Sequence, residues 1–161
     1  RKRAGTVVAQ RPTESMVLDV PDLAIEIGRR GQAYRFELIE RDIRYASEHD
    51  PDEKLLAGPG QIMFLRGIHL ADNRPFAYEE RLVSLTAVPQ IAAEDFVSVS
   101  PGSWLLQHIP WTEAENRIGV PVESACLTVE RRTWRGDERI TFVRQKFVAG
   151  QYELVARFGA A

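Results

Sequence analysis

Residues 68–82 read IHLADNRPFAYEERL, and this stretch predicts the β-hairpin around which the rest of the fold is arranged. Two runs rich in strand-forming residues, Ile62–Leu70 and Phe76–Val83, stand on either side of Asp72 and Asn73. Aspartate and asparagine tolerate the left-handed backbone of a tight turn, so the two runs are expected to pair antiparallel. The hairpin therefore indicates a sheet built from neighbouring strands.

The second strand of the hairpin carries charges in its middle, at Glu79, Glu80 and Arg81. Successive strand side chains point to opposite faces, so one of the two glutamates faces inward if one face of the sheet is buried. A buried charge needs a partner. Alternation also places Glu79 and Arg81 on the same face, where they either take part in partly buried ion pairs or share a ligand. The residues alone leave both interpretations open.

Before the hairpin, the sequence predicts a helix and a strand. The stretch Pro21–Gly31 begins with a proline and an aspartate, which favour a first helical turn, and ends with two arginines and a glycine, which favour a last turn and its cap. Apolar and charged residues alternate from Tyr34 to Leu38, the period of a half-buried strand. Residues 12–15 are predicted to be a polar linker, and residues 46–60 a loop or short helix.

After the hairpin, residues 87–109 show a helical pattern in which Ser100 and Pro101 suit an N-cap and a first turn. Strands followed by helices and further strands predict an α+β fold, with one antiparallel sheet and helices flanking it. Three β-rich runs at the end are expected to form an antiparallel meander, namely Ala125–Trp134, Arg139–Phe147 and Gln151–Phe158.

The composition is that of an ordinary globular domain. The chain has 161 residues, of which 44% are hydrophobic and 27% charged. Its 21 basic and 23 acidic residues argue against a DNA-reading surface on these residues. The lone cysteine, Cys126, excludes an intramolecular disulfide and fits a reducing, cytoplasmic location. No apolar run has the length of a membrane span, so no membrane partner is expected.

Motifs for catalysis and cofactor binding are absent from the sequence. The histidines His49, His69 and His108 lack metal-ligand spacing to one another and to Cys126, so neither a metal site nor a cofactor is predicted. There is no glycine-rich phosphate loop and no Gly-x-Ser-x-Gly elbow. Cys126 begins an apolar strand, which favours a buried structural thiol over a nucleophile. The residues thus predict no enzyme and no catalytic residue.

Polar residues inside the predicted strands form the candidate binding surface. Arg131 and Thr133 share one face of the first meander strand, Arg144 and Lys146 share one face of the second, and Tyr152 opens the third. These residues either pair with one another or form a pocket on the sheet, in which an arginine binds a carboxylate or phosphate. His69, which lies in a predicted strand, has the same two interpretations: an ordinary hydrogen-bonded or exposed residue, or part of such a pocket.

Three blocks of sequence carry a family pattern. The hairpin has a histidine, a turn, a proline and then Glu-x-Arg-x-Val, at His69, Pro75, Glu79, Arg81 and Val83. Two later blocks are WTEAE at residues 111–115, and CL at 126–127 followed by ERRTW at 130–134. In this order and spacing, the blocks resemble the effector-binding UTRA domain of GntR-superfamily bacterial repressors, within the HutC subfamily of histidine utilisation repressors.

The resemblance implies the fold of chorismate lyase, used for sensing a ligand and not for catalysis. Residues 1–11 would be the end of the wing of a winged helix-turn-helix domain with its linker, and residues 12–161 the UTRA domain. Between Glu115 and Ser124 this chain is shorter than the family pattern, because relatives carry roughly another helix there. The ligand-binding positions that carry over are His69, Glu79, Arg81 and Ser100, with Arg144 and Tyr152 less directly matched.

The function that the resemblance implies is that of a small-molecule sensor in a homodimeric repressor. Operator DNA would be bound only through a winged-helix domain that these residues do not contain. The expected effector is urocanate or a related histidine-catabolism metabolite, its carboxylate near Arg81, Arg144 or the helix start at Ser100, and its imidazole near Glu79 or His69. The alternatives are a lyase on the same fold, a sensor for a sugar phosphate or another carboxylate, and an oligomerisation module whose charged strands only pair with each other.

Overall fold

A computed structural model describes residues 13–16 and 19–160, with side chains from residue 19 onward. Within these residues the chain forms a six-stranded antiparallel sheet, a separate two-stranded sheet, three α-helices and a short 3₁₀ helix. The predicted α+β fold with helices flanking an antiparallel sheet is therefore confirmed. The predicted wing and linker, residues 1–11, lie outside the described residues.

The main sheet is formed by six strands, which follow a short first strand, β1 (Thr13–Met16). They are β2 (Tyr34–Tyr45), β3 (Gln61–Ala71), β4 (Arg74–Ser84), β5 (Glu113–Gly119), β6 (Leu127–Arg135) and β7 (Glu138–Phe147). Their order across the sheet is β2-β3-β4-β7-β6-β5, and all neighbours are antiparallel. Strands β4 and β7 lie at the centre, while β2 and β5 form the two edges.

The predicted hairpin is confirmed as β3 and β4. Asp72 and Asn73 form its turn with φ values of 50° and 59°, the left-handed conformation that these two residue types tolerate best after glycine. The register places Glu79 opposite Gly67 and His69 opposite Ala77. His69 and Glu79 therefore point to the same face of the sheet from adjacent strands.

The short helix predicted before the hairpin is also present. It begins after Asp22, whose carboxylate accepts a hydrogen bond from the Ala24 N–H, and it ends before Gly31 at a φ of 75°. The segment predicted as a loop or short helix contains a helix capped by Asp50. The three α-helices are α1 (Leu23–Arg29), α2 (Pro51–Ala57) and α3 (Pro101–His108).

The helical pattern predicted for residues 87–109 is only partly correct. A 3₁₀ helix covers Pro89–Ala93, and α3 occupies the C-terminal part. Between them the backbone leaves the helical region, because Phe96 has a φ of 57° and the residue before Pro101 is disfavoured from the α conformation. Glu113–Gly119 forms edge strand β5, which extends into the segment where this chain is shorter than the family pattern.

The predicted three-stranded meander at the C-terminal end is wrong in its last strand. Both sides of β7 are occupied, by β4 and β6, so the strand that follows cannot join the main sheet. Instead β8 (Tyr152–Val155) pairs in parallel with β1, which corrects the prediction that residues 12–15 are a linker. The two ends of the domain are thereby joined in a separate two-stranded sheet.

The two faces of the main sheet carry different layers. On one face, which we call the cavity face, α1 and α3 cover residues that include Leu65, Val83 and Val129. On the other, which we call the α2 face, α2 packs against Leu82 and Phe142. In the described ranges, 13–16 and 19–160, no helix is long and apolar enough to cross a membrane.

Gly67 leaves room for the ring of Phe36, which packs against it from the neighbouring strand. A Cβ atom at this position would lie 2.2 Å from the Phe36 ring, so any other residue would displace it. The Phe36 ring in turn lies 5.0 Å from the His69 ring, centroid to centroid. The glycine therefore fixes one wall of the environment of His69.

Candidate functional site

A cavity lies between the cavity face of the sheet and the N-terminal ends of α1 and α3. It contains about 600 Å³ of space not filled by atoms, part of it open to solvent. Its apolar wall includes Leu105, Ile109 and Val143. Four of the six residues predicted from sequence line it, namely His69, Glu79, Arg81 and Ser100.

Glu79 is the centre of the polar cluster on the cavity floor. Its side chain is almost fully buried, at 1% exposure. Oε1 accepts hydrogen bonds from His69 Nε2 at 3.1 Å, Gln145 Nε2 at 2.8 Å and Arg81 Nη2 at 3.2 Å, while Oε2 accepts from Arg81 Nε at 3.1 Å. The carboxylate is thus fully engaged by protein groups.

The charge of Glu79 is held by its neighbours against the effect of burial. Burial by itself would raise the pKa of the Glu79 carboxyl, but the charge of Arg81, then that of His69, and the hydrogen bonds from both lower the pKa well below its ordinary value. Glu79 is therefore ionised at neutral pH. Of the two adjacent glutamates it is the inward one, because Glu80 faces the α2 side, where it contacts Tyr78 and Arg66.

A hydrogen-bond chain extends from Glu79 to Tyr34 on the edge strand. His69 Nε2 donates to the Glu79 carboxylate, and His69 Nδ1 forms a hydrogen bond with the Tyr34 hydroxyl, at 2.8 Å. Burial raises the pKa of the Tyr34 phenol, so the hydroxyl keeps its proton. The histidine is held in one orientation by partners on both nitrogens.

Arg131 is a buried cation without an acidic partner. Its side chain is 6% exposed and lines the cavity, and Nε donates to Asn116 Oδ1 at 2.7 Å. No carboxylate among residues 19–160 lies within 4.0 Å of its guanidinium. Burial, followed by the nearby charge of Arg81, lowers the pKa of Arg131 to about 10, so the group is still protonated at neutral pH.

The cavity roof joins the N-terminal ends of α1 and α3. Ser100 caps α3 by accepting from the Ser103 N–H at 3.2 Å, and its hydroxyl donates to Ser103 Oγ at 3.0 Å. The Ser103 hydroxyl donates to Asp22 Oδ1 at 2.7 Å, and Asp22 is the N-cap of α1. A Cβ atom on Gly102 would lie 3.0 Å from Arg81 Nη2, so the first turn of α3 passes close above the polar cluster.

Two of the predicted site residues are not brought to the cavity. Arg144 points to the α2 face, where Nε donates to Glu130 Oε1 at 3.3 Å and Nη2 lies 3.8 Å from Asp52 Oδ2. Its neighbours in sequence, Val143 and Gln145, take the inward positions of β7. Tyr152 lies in the apolar core, stacked on Phe147 at 3.7 Å between ring centroids.

Sequence reasoning missed several residues of the cavity. The shared face of Arg131 and Thr133 was a usable signal, because both line the cavity, but nothing singled Arg131 out. Gln145 gave no signal at all, and its Oε1 is buried without a hydrogen-bond partner among the described residues. No group of three or more His, Cys, Asp or Glu side chains in residues 19–160 is arranged to hold a metal ion.

Comparison with known proteins identifies the family of this chain. The sequence pattern of the UTRA domain matches residues 29–153, which is most of the chain. The chain belongs to the UTRA domain family. The sequence resemblance noted above is therefore confirmed at the level of the family.

Relatives of this UTRA domain include regulators of histidine use. It is 28% identical over 172 aligned positions to the histidine utilization repressor of Pseudomonas aeruginosa, an alignment that covers 97% of this chain and 68% of the relative. Its fold matches the C-terminal domain of the histidine utilization repressor from Pseudomonas syringae, with a TM-score of 0.68, 21% identity and coverage of 80% and 100%. It also matches the effector domain of PhnF from Mycobacterium smegmatis, with a TM-score of 0.74, 13% identity and coverage of 91% and 99%.

Proposed function

We propose that this UTRA domain is the effector-binding and dimerisation part of a bacterial transcriptional repressor, without catalytic activity, and that it binds urocanate or a related carboxylate of histidine catabolism. Two things support the class of function: the family match and relatives that are histidine utilization repressors. The cavity between sheet and helices supports the binding of a small molecule. DNA would be bound by a separate N-terminal domain.

The observation that carries the choice of an anionic effector is the state of Arg131. A buried guanidinium without a carboxylate partner is unfavourable, and an arriving carboxylate would supply the missing charge and two parallel hydrogen bonds. Arg81 is less available, because it is already bound to Glu79 through two nitrogens. We therefore propose that the ligand carboxylate binds Arg131, and not Arg81 or Arg144, the two arginines that the sequence favoured.

Gln145 supports a ligand that also carries an N–H group. Its buried Oε1 is an acceptor without a partner among the described residues, while its Nε2 is held by Glu79. Arg131 lies directly opposite Val143 on β7, so Gln145 is its diagonal neighbour on the same face, roughly 7 Å away. A short, rigid molecule with a carboxylate at one end and an imidazole N–H at the other matches this pair.

Glu79 and His69 then have an orienting role and are not the groups that first meet the ligand. Each of their polar atoms is already engaged, by Arg81, Gln145 and Tyr34. They hold the side chains of Arg81 and Gln145 in place on the cavity floor. Ser100 and Ser103 also lie in the lining, but their hydroxyl protons are already donated to Ser103 Oγ and Asp22 Oδ1.

Residues 20–23 provide a route from the cavity toward the N-terminal side of the chain. They line the cavity, and Asp22 is tied to α3 through Ser103. A ligand that displaces or strengthens this contact would favour one position of α1 over another. In the proposal, this difference in affinity between two positions changes how a dimer presents its DNA-binding domains to operator half-sites.

The test is a thermal-shift titration of the chain with urocanate, histidine, imidazolepropionate and a sugar phosphate. Urocanate at about a hundred times its dissociation constant is expected to stabilise the fold by roughly 2.7 kcal/mol. Arg131→Met should weaken binding by about tenfold to a hundredfold, because a charge-assisted contact is lost. Arg144→Met, a matched change on the opposite face, should bind urocanate as the wild type does.

Three outcomes would contradict parts of the proposal. An unchanged response in Arg131→Met would remove that residue from the site. A shift with the sugar phosphate and none with urocanate would replace the ligand class. Formation of product from chorismate by the chain would overturn the non-catalytic reading and favour the lyase alternative.

A further inference from the structure

The register of the central strands divides the cavity floor into rows of side chains. Side chains two residues apart on one strand share a face, and paired strands place them side by side, so successive rows lie roughly 7 Å apart. The first, middle and last rows, each read across β4, β7 and β6, are Glu79, Gln145 and Val129; Arg81, Val143 and Arg131; and Val83, Thr141 and Thr133. The charges lie in the first and middle rows, whereas the last row consists of a valine and two threonines.

The C-terminal half of α3 covers the last row with apolar side chains. Gly102, in the first turn of the helix, lies close to Arg81 in the middle row. Further along the helix, Leu105 and Ile109 pack in one apolar cluster with Val83 of the last row. Both leucine and isoleucine also line the cavity. The cavity is therefore polar under the start of α3 and apolar under its end.

A bulge in β7 adds Ile140 to the apolar end. The register runs from the pair Thr133–Thr141 to the pair Trp134–Arg139, which leaves Ile140 without a residue opposite it on β6. An extra residue of this kind changes the direction of its side chain. Ile140 lines the cavity and belongs to the same apolar cluster as the end of α3.

Trp111 closes the cavity beyond the last row and is only partly covered. It lies three residues before Ala114, which pairs with Thr133 of that row. Trp111 lines the cavity and is 40% exposed. The N–H of Thr112, the next residue, donates to Trp134 O at 2.8 Å, so the backbone at Trp111 is held in place before a ligand binds.

The other aromatic ring of the lining, His69, is already engaged. The rings of Tyr34 and Phe36 lie 5.8 Å and 5.0 Å from the His69 ring, centroid to centroid. Its two nitrogens form hydrogen bonds with Glu79 and Tyr34. Among the described lining residues, Trp111 is therefore the aromatic side chain with surface left for a ligand.

Urocanate, as placed in the proposed function, does not reach this end of the cavity. Its carboxylate binds Arg131 in the middle row, and its imidazole points to Gln145 in the first row. The last row and Trp111 lie on the opposite side of Arg131. The apolar end is therefore a part of the cavity that a different or longer ligand would occupy.

We propose that this apolar end is a second binding subsite, which takes the aromatic ring of an arylalkyl carboxylate whose acid group binds Arg131. The inference rests on the carboxylate contact in the proposed function and adds a ligand class that the proposed function does not contain. A ring roughly 7 Å from the carboxylate would leave water, contact Ile109 and Ile140, and pack against Trp111. A charged group there would be buried without a partner, so the subsite selects uncharged rings.

Calorimetry of the chain with 4-phenylbutyrate and with butyrate measures what the ring contributes. The two acids share the carboxylate and its hydrocarbon chain, and only the first carries a phenyl ring. We expect 4-phenylbutyrate to bind roughly tenfold to a hundredfold more tightly than butyrate. It should also protect tryptophan fluorescence from quenching by acrylamide, because Trp111 is the most exposed of the three tryptophans.

Substitution of Trp111 tests the subsite itself. Trp111→Ala should lower the affinity for 4-phenylbutyrate by about fivefold to tenfold and leave urocanate binding unchanged, while Trp111→Phe should keep most of the affinity for 4-phenylbutyrate. Ile118→Ala is the matched control, because Ile118 is also 40% exposed but does not line this cavity. It should bind both ligands as the wild type does, and Arg131→Met should weaken both.

The outcomes separate this inference from the proposed function. Equal affinities for 4-phenylbutyrate and butyrate, or an unchanged affinity for 4-phenylbutyrate in Trp111→Ala, would overturn the inference. An equal loss of urocanate and 4-phenylbutyrate binding in that variant would also overturn it, because one site would then take both rings. In each of these cases, urocanate binding by the wild type leaves the proposed function standing. If 4-phenylbutyrate binds through Trp111 and urocanate does not bind, the subsite stands and the proposed effector is wrong.

Discussion

Two buried carboxylates lie on opposite sides of the main sheet, and their surroundings differ. On the α2 side, Glu53 receives both terminal nitrogens of Arg44 at 2.6 Å and the Ser47 N–H at 2.8 Å, which ties α2 to the end of β2. On the cavity side, Glu79 receives Arg81, His69 and Gln145 beside an open volume. The first arrangement closes an interface, whereas the second forms the floor of a cavity.

The arginines on the two faces show the same difference. On the α2 face Arg44, Arg132 and Arg144 each contact a carboxylate, at 2.6 Å, 2.7 Å and 3.3 Å. On the cavity face Arg131 contacts none among the described residues. Charges that are paired within the protein contribute to structure, while a buried charge left unpaired beside a cavity indicates a site for an opposite charge.

The largest effect is expected from Glu79→Gln. The substitution removes a buried carboxylate while leaving Arg81 charged and without its partner, so the free energy of unfolding should fall by about 3–5 kcal/mol. Urea denaturation followed by circular dichroism measures this loss. The urocanate response should fall as well, because Arg81 and Gln145 lose the group that positions them.

Glu53→Gln is the control for that comparison. Arg44 is partly exposed, so water can replace the lost carboxylate, and the expected loss of unfolding free energy is about 1–2 kcal/mol. Urocanate binding should be unchanged. If both variants lose stability equally, the distinction between the closed pair and the cavity floor does not hold.

Acid should destabilise the domain chiefly through these two carboxylates. Both carboxyls have a folded-state pKa below the ordinary value of 4.5. Burial alone would raise the pKa of Glu79, but the neighbouring Arg81 and His69 lower it. The pKa of Glu53 is lowered first by its hydrogen bonds from Arg44. Their contribution is therefore complete above about pH 4.5 and is lost as the pH falls through the folded-state pKa. Denaturation curves between neutral pH and about pH 3 should show a shallower acid loss in Glu79→Gln than in Glu53→Gln.

The smallest effect is expected from Arg144→Met. Its contacts with Glu130 and Asp52 are partly exposed, so the free energy of unfolding should change by less than about 1 kcal/mol. Arg131→Met should have a similarly small effect on stability, since no acidic partner is left behind. The two variants should differ only in ligand binding, measured by calorimetry with urocanate; equal binding would erase the difference between the faces.

The hairpin was predictable because its signals are local. Strand-forming residues flank two residues that tolerate the left-handed backbone, and period-two alternation left Glu79 and Arg81 on one face. Which face is inward for β7 depends on its pairing with β4, where Gln145 faces Glu79. That register is a long-range property, so the sequence favoured Arg144 while the structure turns Gln145 toward the cavity.

The absence of an acidic partner for Arg131 among the described residues could not be predicted, for a related reason. Alternation shows that it shares a face with Thr133, but whether an acidic side chain reaches it depends on strands and helices far apart in sequence. Similarly, the run from Gln151 has the composition of a strand, yet its partner was determined by the full occupancy of both sides of β7. Local sequence patterns therefore predict individual strands and helices, whereas the pairing of each strand depends on which other strands compete for the same partner.

The pairing of β1 with β8 has a mechanical consequence. The two strands are parallel and lie close to opposite ends of the domain, so a force that pulls residue 13 away from residue 155 acts along both strands in opposite directions. Such a force shears the ladder and loads its hydrogen bonds together. Tension applied at residue 13 would therefore be borne first by the ladder between β1 and β8, and only afterwards by α1 and the cavity roof.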